Sequence, residues 1–259
     1  MPPKKDWRES PSDAEDTALQ YSDIAIGYLS RNDRYRADYR LALRRVQRGM
    51  ISPDDATAAL VRRWGISFHA DPSVAFDPKM AVARPDLSPA SVVLAPPSSD
   101  IGAVQNLNRK MLGAIRAHIK IGDLLHFILA DDEGDEHLWV SGSLDRPLAL
   151  IVPIETNPFA RLASAERFCR RLLGMAAGPP VLRPPPFRRR HLLTLLRVLD
   201  GRQAGATRKE LAEVLIDRDV QHFNAAEWTE SRERKRIGRW LTEAIELRDG
   251  GYIRLLRGG

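Results

Sequence analysis

Apolar positions along this chain change period three times. Between residues 22 and 65 they recur at three- and four-residue steps: Ser22 precedes Ile24, Ile26, Tyr28 and Leu29, and from Asp33 the series Tyr35, Tyr39, Leu43 and Val46 marks one face of an amphipathic helix. Gly49 closes that helix, and Ser52-Pro53-Asp54-Asp55 opens the next with a capping side chain, a proline at the first helical position and acids in the first turn. These signals predict a three-helix unit ending near Trp64-Gly65. Ahead of it the polar residues 1–18 read as a tail, with Trp7 tucked against the first domain.

Prolines at 72, 78, 85, 89, 96 and 97 forbid a long helix between Phe68 and Asp100, although Ser91 to Leu94 suits a short strand. A helix is expected over Val104 to His118. The runs Leu124 to Ala130, His137 to Ser143 and Leu148 to Ile154 are β-like and suggest a small antiparallel sheet. Asn157-Pro158 then opens a helix whose stripe would be Leu162, Ala165, Phe168, Cys169, Leu172 and Leu173. The fold class is therefore mainly α with a small antiparallel sheet (α+β). Its expected division is an N-terminal helical domain over 1–75, a Pro-rich connector over 76–103 and a unit over 104–259.

A second Pro-rich stretch, Gly178 to Pro186, precedes the C-terminal module over 187–259. There Arg188-Arg189-Arg190 leads into a leucine-rich helix ending at Asp200-Gly201. Thr207-Arg208-Lys209-Glu210 is a capping box opening a short helix, and a third helix runs from about Thr229–Ser231 to Arg248. That order is the helix-turn-helix order, except that about a dozen residues, Asp217 to Trp228, replace the usual short turn. Phe223 and Trp228 are expected to anchor this extended turn.

Placed at 100° per residue, Ile237, Trp240, Leu241, Ala244 and Ile245 of the third helix share one arc, whereas Lys235, Arg236 and Arg239 all fall within about 60° of Arg232 on the far side. A helix anchored on one face and cationic on the other suits a DNA major groove, where Arg and Lys reach phosphates and guanine edges. A solvated basic face is the competing explanation. Arg208 and Lys209 are supporting candidates. The arginines Arg188, Arg189 and Arg190 sit at the helix end that disfavours cations, so they serve either phosphate contact or a solvated hinge.

Charge sharpens this picture. The 259 residues carry 40 Lys+Arg against 34 Asp+Glu, a net +6, which favours a polyanionic partner without proving one. From Arg188 onward there are 16 Lys+Arg and 11 Asp+Glu, so the C-terminal segment carries +5 of it. The single cysteine, Cys169, cannot form an internal disulfide and reads as a structural thiol in a reducing, cytoplasmic setting; no run is long enough to span a membrane.

Acidic residues 131–136 read as a solvated hairpin turn without calcium-loop spacing, and the six histidines lack zinc-ligand spacing, so no metal or cofactor is expected. No nucleophile elbow, P-loop or dinucleotide fingerprint is present, and an enzyme is not expected.

Two blocks carry a family resemblance. Asp6-Trp7, Tyr28 through Tyr39 and Arg63 through Phe68 form the first; Leu199-Asp200-Gly201 through Trp228, with Ser231, Arg232 and Gly250-Gly251-Tyr252, form the second. Together they resemble the two-domain transfer activators of proteobacterial integrative and conjugative elements, a family that includes frameshifted excision activators. The resemblance implies an N-terminal transcriptional-regulator-like domain and a C-terminal extended-turn helix-turn-helix domain, with one positive face on promoter DNA and the opposite face docked on the N-terminal domain. It also implies small acidic antiactivators as partners of the N-terminal domain, for which RNA polymerase is a further expected partner.

Most helix-turn-helix proteins use paired half-sites, so a homodimer or neighbouring bound copies are expected. The expected function is a DNA-binding transcriptional activator of excision or conjugative-transfer genes. The alternative is an antiactivator or protein-binding module that sequesters another regulator.

Overall fold

The computed structural model describes residues 6–9, 19–73, 78–98, 107, 109–154 and 157–259. It is an α+β fold. Three N-terminal helices, α1 (Tyr21–Leu29), α2 (Asp33–Gln47) and α3 (Pro53–Trp64), form where the sequence places them. Asn32 caps α2 by accepting from the Arg34 and Tyr35 amides, and Ser52 caps α3 from the Asp55 amide. Gly65 stops α3 at φ 76°, where any side chain would also strike Leu87.

The Pro-rich connector does more than connect. After β1 (Ile66–Ser67) it supplies β2 (Val82–Ala83), which pairs with β1, and β3 (Val92–Ala95), which enters the main sheet. That sheet continues with β4 (Ile115–Ile121), β5 (Leu124–Leu129), β6 (Glu136–Ser141) and β7 (Ala149–Leu150), in the order β4-β5-β6-β3-β7. All neighbours are antiparallel except β3 and β6, which run parallel.

The expected helix over Val104 to His118 is corrected: its described part is a short 3-10 turn, Arg109–Leu112, followed by β4, while residues 104–106 and 108 lie outside the described residues. Ile115, Ala117, Ile119 and Ile121 alternate with exposed Arg116, His118 and Lys120, which is a strand period that overrides a weak helical one.

Helix α4 (Pro158–Leu172) covers one face of the sheet through Phe168. Its buried side keeps Ala165 and Phe168 of the expected stripe, with Leu172 half-buried, but not the rest. Leu162 and Leu173 are 49% and 75% exposed, while Arg161, Ser164 and Arg167 are buried. Backbone carbonyls explain this: Arg161 donates to Ser91 O and Pro85 O, and Arg167 to Gly178 O and Gly134 O. Arg167 and Arg171 also hold the carboxylates of Asp131 and Glu136, so the acidic hairpin turn is clamped by arginines instead of being simply solvated.

The C-terminal module comprises α5 (Pro186–Gln203), α6 (Arg208–Leu215), a 3-10 turn (Arg218–His222), α7 (Ala225–Glu230), α8 (Arg232–Glu246), a π turn (Leu247–Gly251) and α9 (Tyr252–Leu256). Its core residues Val198, Leu211, Ala212, Val220, Ile237 and Leu241 enclose Trp7. Trp7 is therefore tucked in, but against the C-terminal helices and not the first domain. Arg197 fixes it by donating to the carbonyls of Trp7 and Arg8, and Gly201 leaves the room that the indole fills.

The N-terminal unit and the C-terminal module share a second core in which α1 packs against α5 and α9. Tyr28 Oη donates to Leu192 O, Arg31 forms a two-pronged pair with Asp200 at 2.6 Å, and Tyr252 Oη donates to Trp64 O. The Gly178 to Pro186 stretch is tied into the same junction, since the Tyr21 amide donates to Leu182 O.

Candidate nucleic-acid interface

Helix α8 owes its position to three buried residues, Ile237, Leu241 and Ala244, on one side. Ser231 caps it by accepting from the Arg234 amide, and Glu233 places an acid in the first turn, where the dipole favours one. Trp240 is half-buried beside the stripe. Ile245, expected in the same arc, is 40% exposed because it lies at the rim of that arc, while Ala244 and Leu247 beside it stay buried.

The opposite side carries the predicted cations. Arg232, Lys235, Arg236 and Arg239 are all exposed, and no described residue of the N-terminal half covers them. Arg232 Nε lies 3.4 Å from Glu233, yet its side chain is 95% exposed; among the described residues Lys235, Arg236 and Arg239 form no ion pair. Arg236 is held over the Trp240 indole with its guanidinium carbon 4.6 Å from the ring centroid, and His191 of α5 meets the same indole edge-on at 6.1 Å. Part of the cationic face is thus positioned by a ring rooted in the core.

Sequence reasoning missed Arg234. Its azimuth points toward the core side, but the first turn of α8 projects past the packed residues, so Arg234 is exposed and donates to Thr229 O at the end of α7.

The supporting candidates divide. Arg208 is exposed at the start of α6. Lys209 is engaged within the module: its Nζ donates to Gln221 O at 3.2 Å and Phe223 O at 2.7 Å, tying α6 to the extended turn. That turn is not irregular. Asn224 and Glu227 form a reciprocal cap that starts α7, and Phe223 and Trp228 pack against the module's core as expected. Of the triple arginine, Arg190 is exposed, Arg189 reaches back to Pro184 O at 3.4 Å, and Arg188 lies 3.5 Å from Glu243 of α8.

The geometry gives a helix with a buried stripe, a free cationic stripe and a preceding capped helix braced by an extended turn. It offers a polyanion a cationic surface whose position is set by packing. Among the described residues no group of three or more His, Cys, Asp or Glu is placed to hold a metal ion, and no helix is long and apolar enough to cross a membrane.

Comparison with known families agrees with this assignment. Residues 151–257 match a family described as a T6SS transcription factor DNA-binding domain, and residues 6–69 match a proteobacterial transcriptional regulator-like domain. Residues 90–150, which hold most of the main sheet, match a domain of unknown function. No curated protein and no solved structure matches the chain. The chain is a transcription regulator with a DNA-binding domain at its carboxyl end.

Proposed function

We propose that α8 enters the major groove of promoter DNA with Arg232, Lys235, Arg236 and Arg239 against phosphates and base edges, and that the chain activates transcription from that site. The observation that carries this reading is the one-sided helix: an apolar stripe locks its orientation while the cations stay exposed and, among the described residues, Lys235, Arg236 and Arg239 form no ion pair. Arg208, exposed at the N-terminus of α6, would add a phosphate contact. Two copies at paired half-sites would supply the affinity that one helix lacks. The N-terminal helices then serve as the platform for RNA polymerase or for a small antiactivator.

The target genes admit two readings. The sequence resemblance favours excision or conjugative-transfer genes of a mobile element, while the printed description of the matched DNA-binding domain favours promoters of a T6SS. Selecting bound fragments from a random DNA pool and mapping them to the source genome separates these. The DNA-binding reading itself is tested by replacing the four α8 cations together with alanine: affinity for the selected duplex should fall at least a hundredfold with thermal unfolding little changed. Retained affinity would leave the face to a protein partner.

A further inference from the structure

A second cationic face, separate from α8, lies on α2 of the N-terminal unit and its C-cap Arg48. Its residues Arg34, Arg40, Arg44, Arg45 and Arg48 are all exposed. At 100° per residue they fall within an arc of about 140°, with the 48%-exposed Leu41 near its middle, and they span roughly 21 Å of helix axis. The whole-chain charge hides this cluster, because acids elsewhere in the first 187 residues nearly cancel it.

A basic helix face is often only a solvated one, but three features argue otherwise. The two carboxylates of α2 are already taken: Asp33 lies 3.8 Å from Arg36, and Asp38 accepts from Trp64 Nε1 and pairs with Arg63. Among the described residues none of the five arginines forms an ion pair. Arg40, Arg44 and Arg48 are also stacked at i, i+4, a like-charge spacing that destabilises a helix and that no carboxylate here offsets.

The cluster is also rigidly joined to the DNA-binding module. Asn32, the cap of α2, donates through Nδ2 to Arg248 O, so α2 begins where α8 ends. The α1–α5–α9 core fixes the rest. We propose that the α2 face is a second, sequence-independent phosphate-binding surface that engages DNA flanking the site occupied by α8. The inference rests on DNA being the ligand of α8. Each strand of duplex DNA presents one charge per about 3.4 Å of axis, so a face of this length spans several phosphates on one strand.

The test uses the full chain with two duplexes selected for binding, one of about 12 base pairs covering the α8 site alone and one of about 40 base pairs extending beyond it. The Arg40→Ala, Arg44→Ala, Arg48→Ala triple variant should bind the short duplex as the parent does. On the long duplex its log-affinity against log-salt slope should fall by about three, with a shorter hydroxyl-radical footprint. The corresponding triple lysine variant, which keeps the charge, should retain most of the slope and footprint.

An unchanged slope and footprint on the long duplex for the alanine variant would overturn the proposal and point to an acidic protein surface as the partner. The α8 quadruple alanine variant keeps the two readings apart. If it binds neither duplex while the α2 variant behaves as the parent on both, the α8 reading stands and this inference alone fails.

Discussion

Glu243 Oε2 of α8 stands 2.9 Å from His191 Nε2 of α5, on the same helical arc as Arg232, Arg236 and Arg239. Its other oxygen lies 3.5 Å from Arg188. One carboxylate thus ends the cationic stripe and occupies two basic groups that would otherwise extend it along α5.

Replacing Glu243 with Gln should therefore strengthen DNA binding. The change removes a like charge from the phosphate-facing side and releases Arg188, so the salt slope should steepen by up to about one. Fluorescence anisotropy across a salt series measures it; weaker binding would mean that Glu243 positions the helix more than it interrupts the stripe.

Lys209 behaves differently from the α8 cations. Its ammonium holds two carbonyls of the extended turn, and charged hydrogen bonds of this kind contribute about 1.5–3 kcal/mol when fully protected. Lys209→Met should lower the unfolding free energy by about 1 kcal/mol, since one of the carbonyls belongs to an exposed residue, and should leave the salt slope unchanged. A slope reduced by one with stability intact would return Lys209 to the DNA contacts.

Trp7 is 5% exposed inside the C-terminal core. Trp7→Ala should cost about 3–5 kcal/mol, and the loss should be local to α5, α6 and α8 in amide hydrogen exchange while α2 and α3 keep their protection. Faster exchange confined to α1–α3 would show that the indole serves the N-terminal unit.

A pH dependence follows from the sheet. The His126 and His137 rings stack at 5.2 Å with ring nitrogens 3.1 Å apart; burial, with His137 and His69 nearby, drives His126 well below its ordinary range, and loss of solvent drives His137 down to about 4 against a small opposing pull from Asp135. Both are neutral in the folded protein where the unfolded chain would protonate them. Folding stability should be fully present above about pH 6.5 and fall as pH drops from there toward 4. Denaturant midpoints at pH 7.5 and 5 check this, and a His126→Gln, His137→Gln variant should flatten the difference.

Much of the α-helical plan was legible because its signals are local. Ser52, Thr207 and Gly65 fix helix ends through their own neighbours, and Ile237, Leu241 and Ala244 mark the buried side of α8 by spacing alone. The α7 cap was also present as Asn224-Ala225-Ala226-Glu227, but it was absorbed into the extended turn. What escaped depends on partners far along the chain. Nothing near Trp7 says that its pocket lies about Val198 and Ile237, nothing in Val92 to Ala95 names β6 as a parallel neighbour, and the inward turn of Arg161 and Arg167 exists only because carbonyls from distant loops meet them. The perfect alternation from Ile115 to Ile121 was readable and outweighs the helical pattern that overlaps it. In the candidate interface the α8 cations were legible by azimuth, while the roles of Lys209, Arg188 and Arg234 were set by packing.

The most direct measurement is the affinity of the intact chain for a selected duplex as salt is raised, for the parent and for Arg236→Ala. Steep weakening with salt, and a slope smaller by about one in the variant if that guanidinium meets a phosphate, is the predicted result. Binding indifferent to salt and to the loss of Arg236, Arg232, Lys235 and Arg239 together would contradict the assignment of α8 as the DNA-contacting helix.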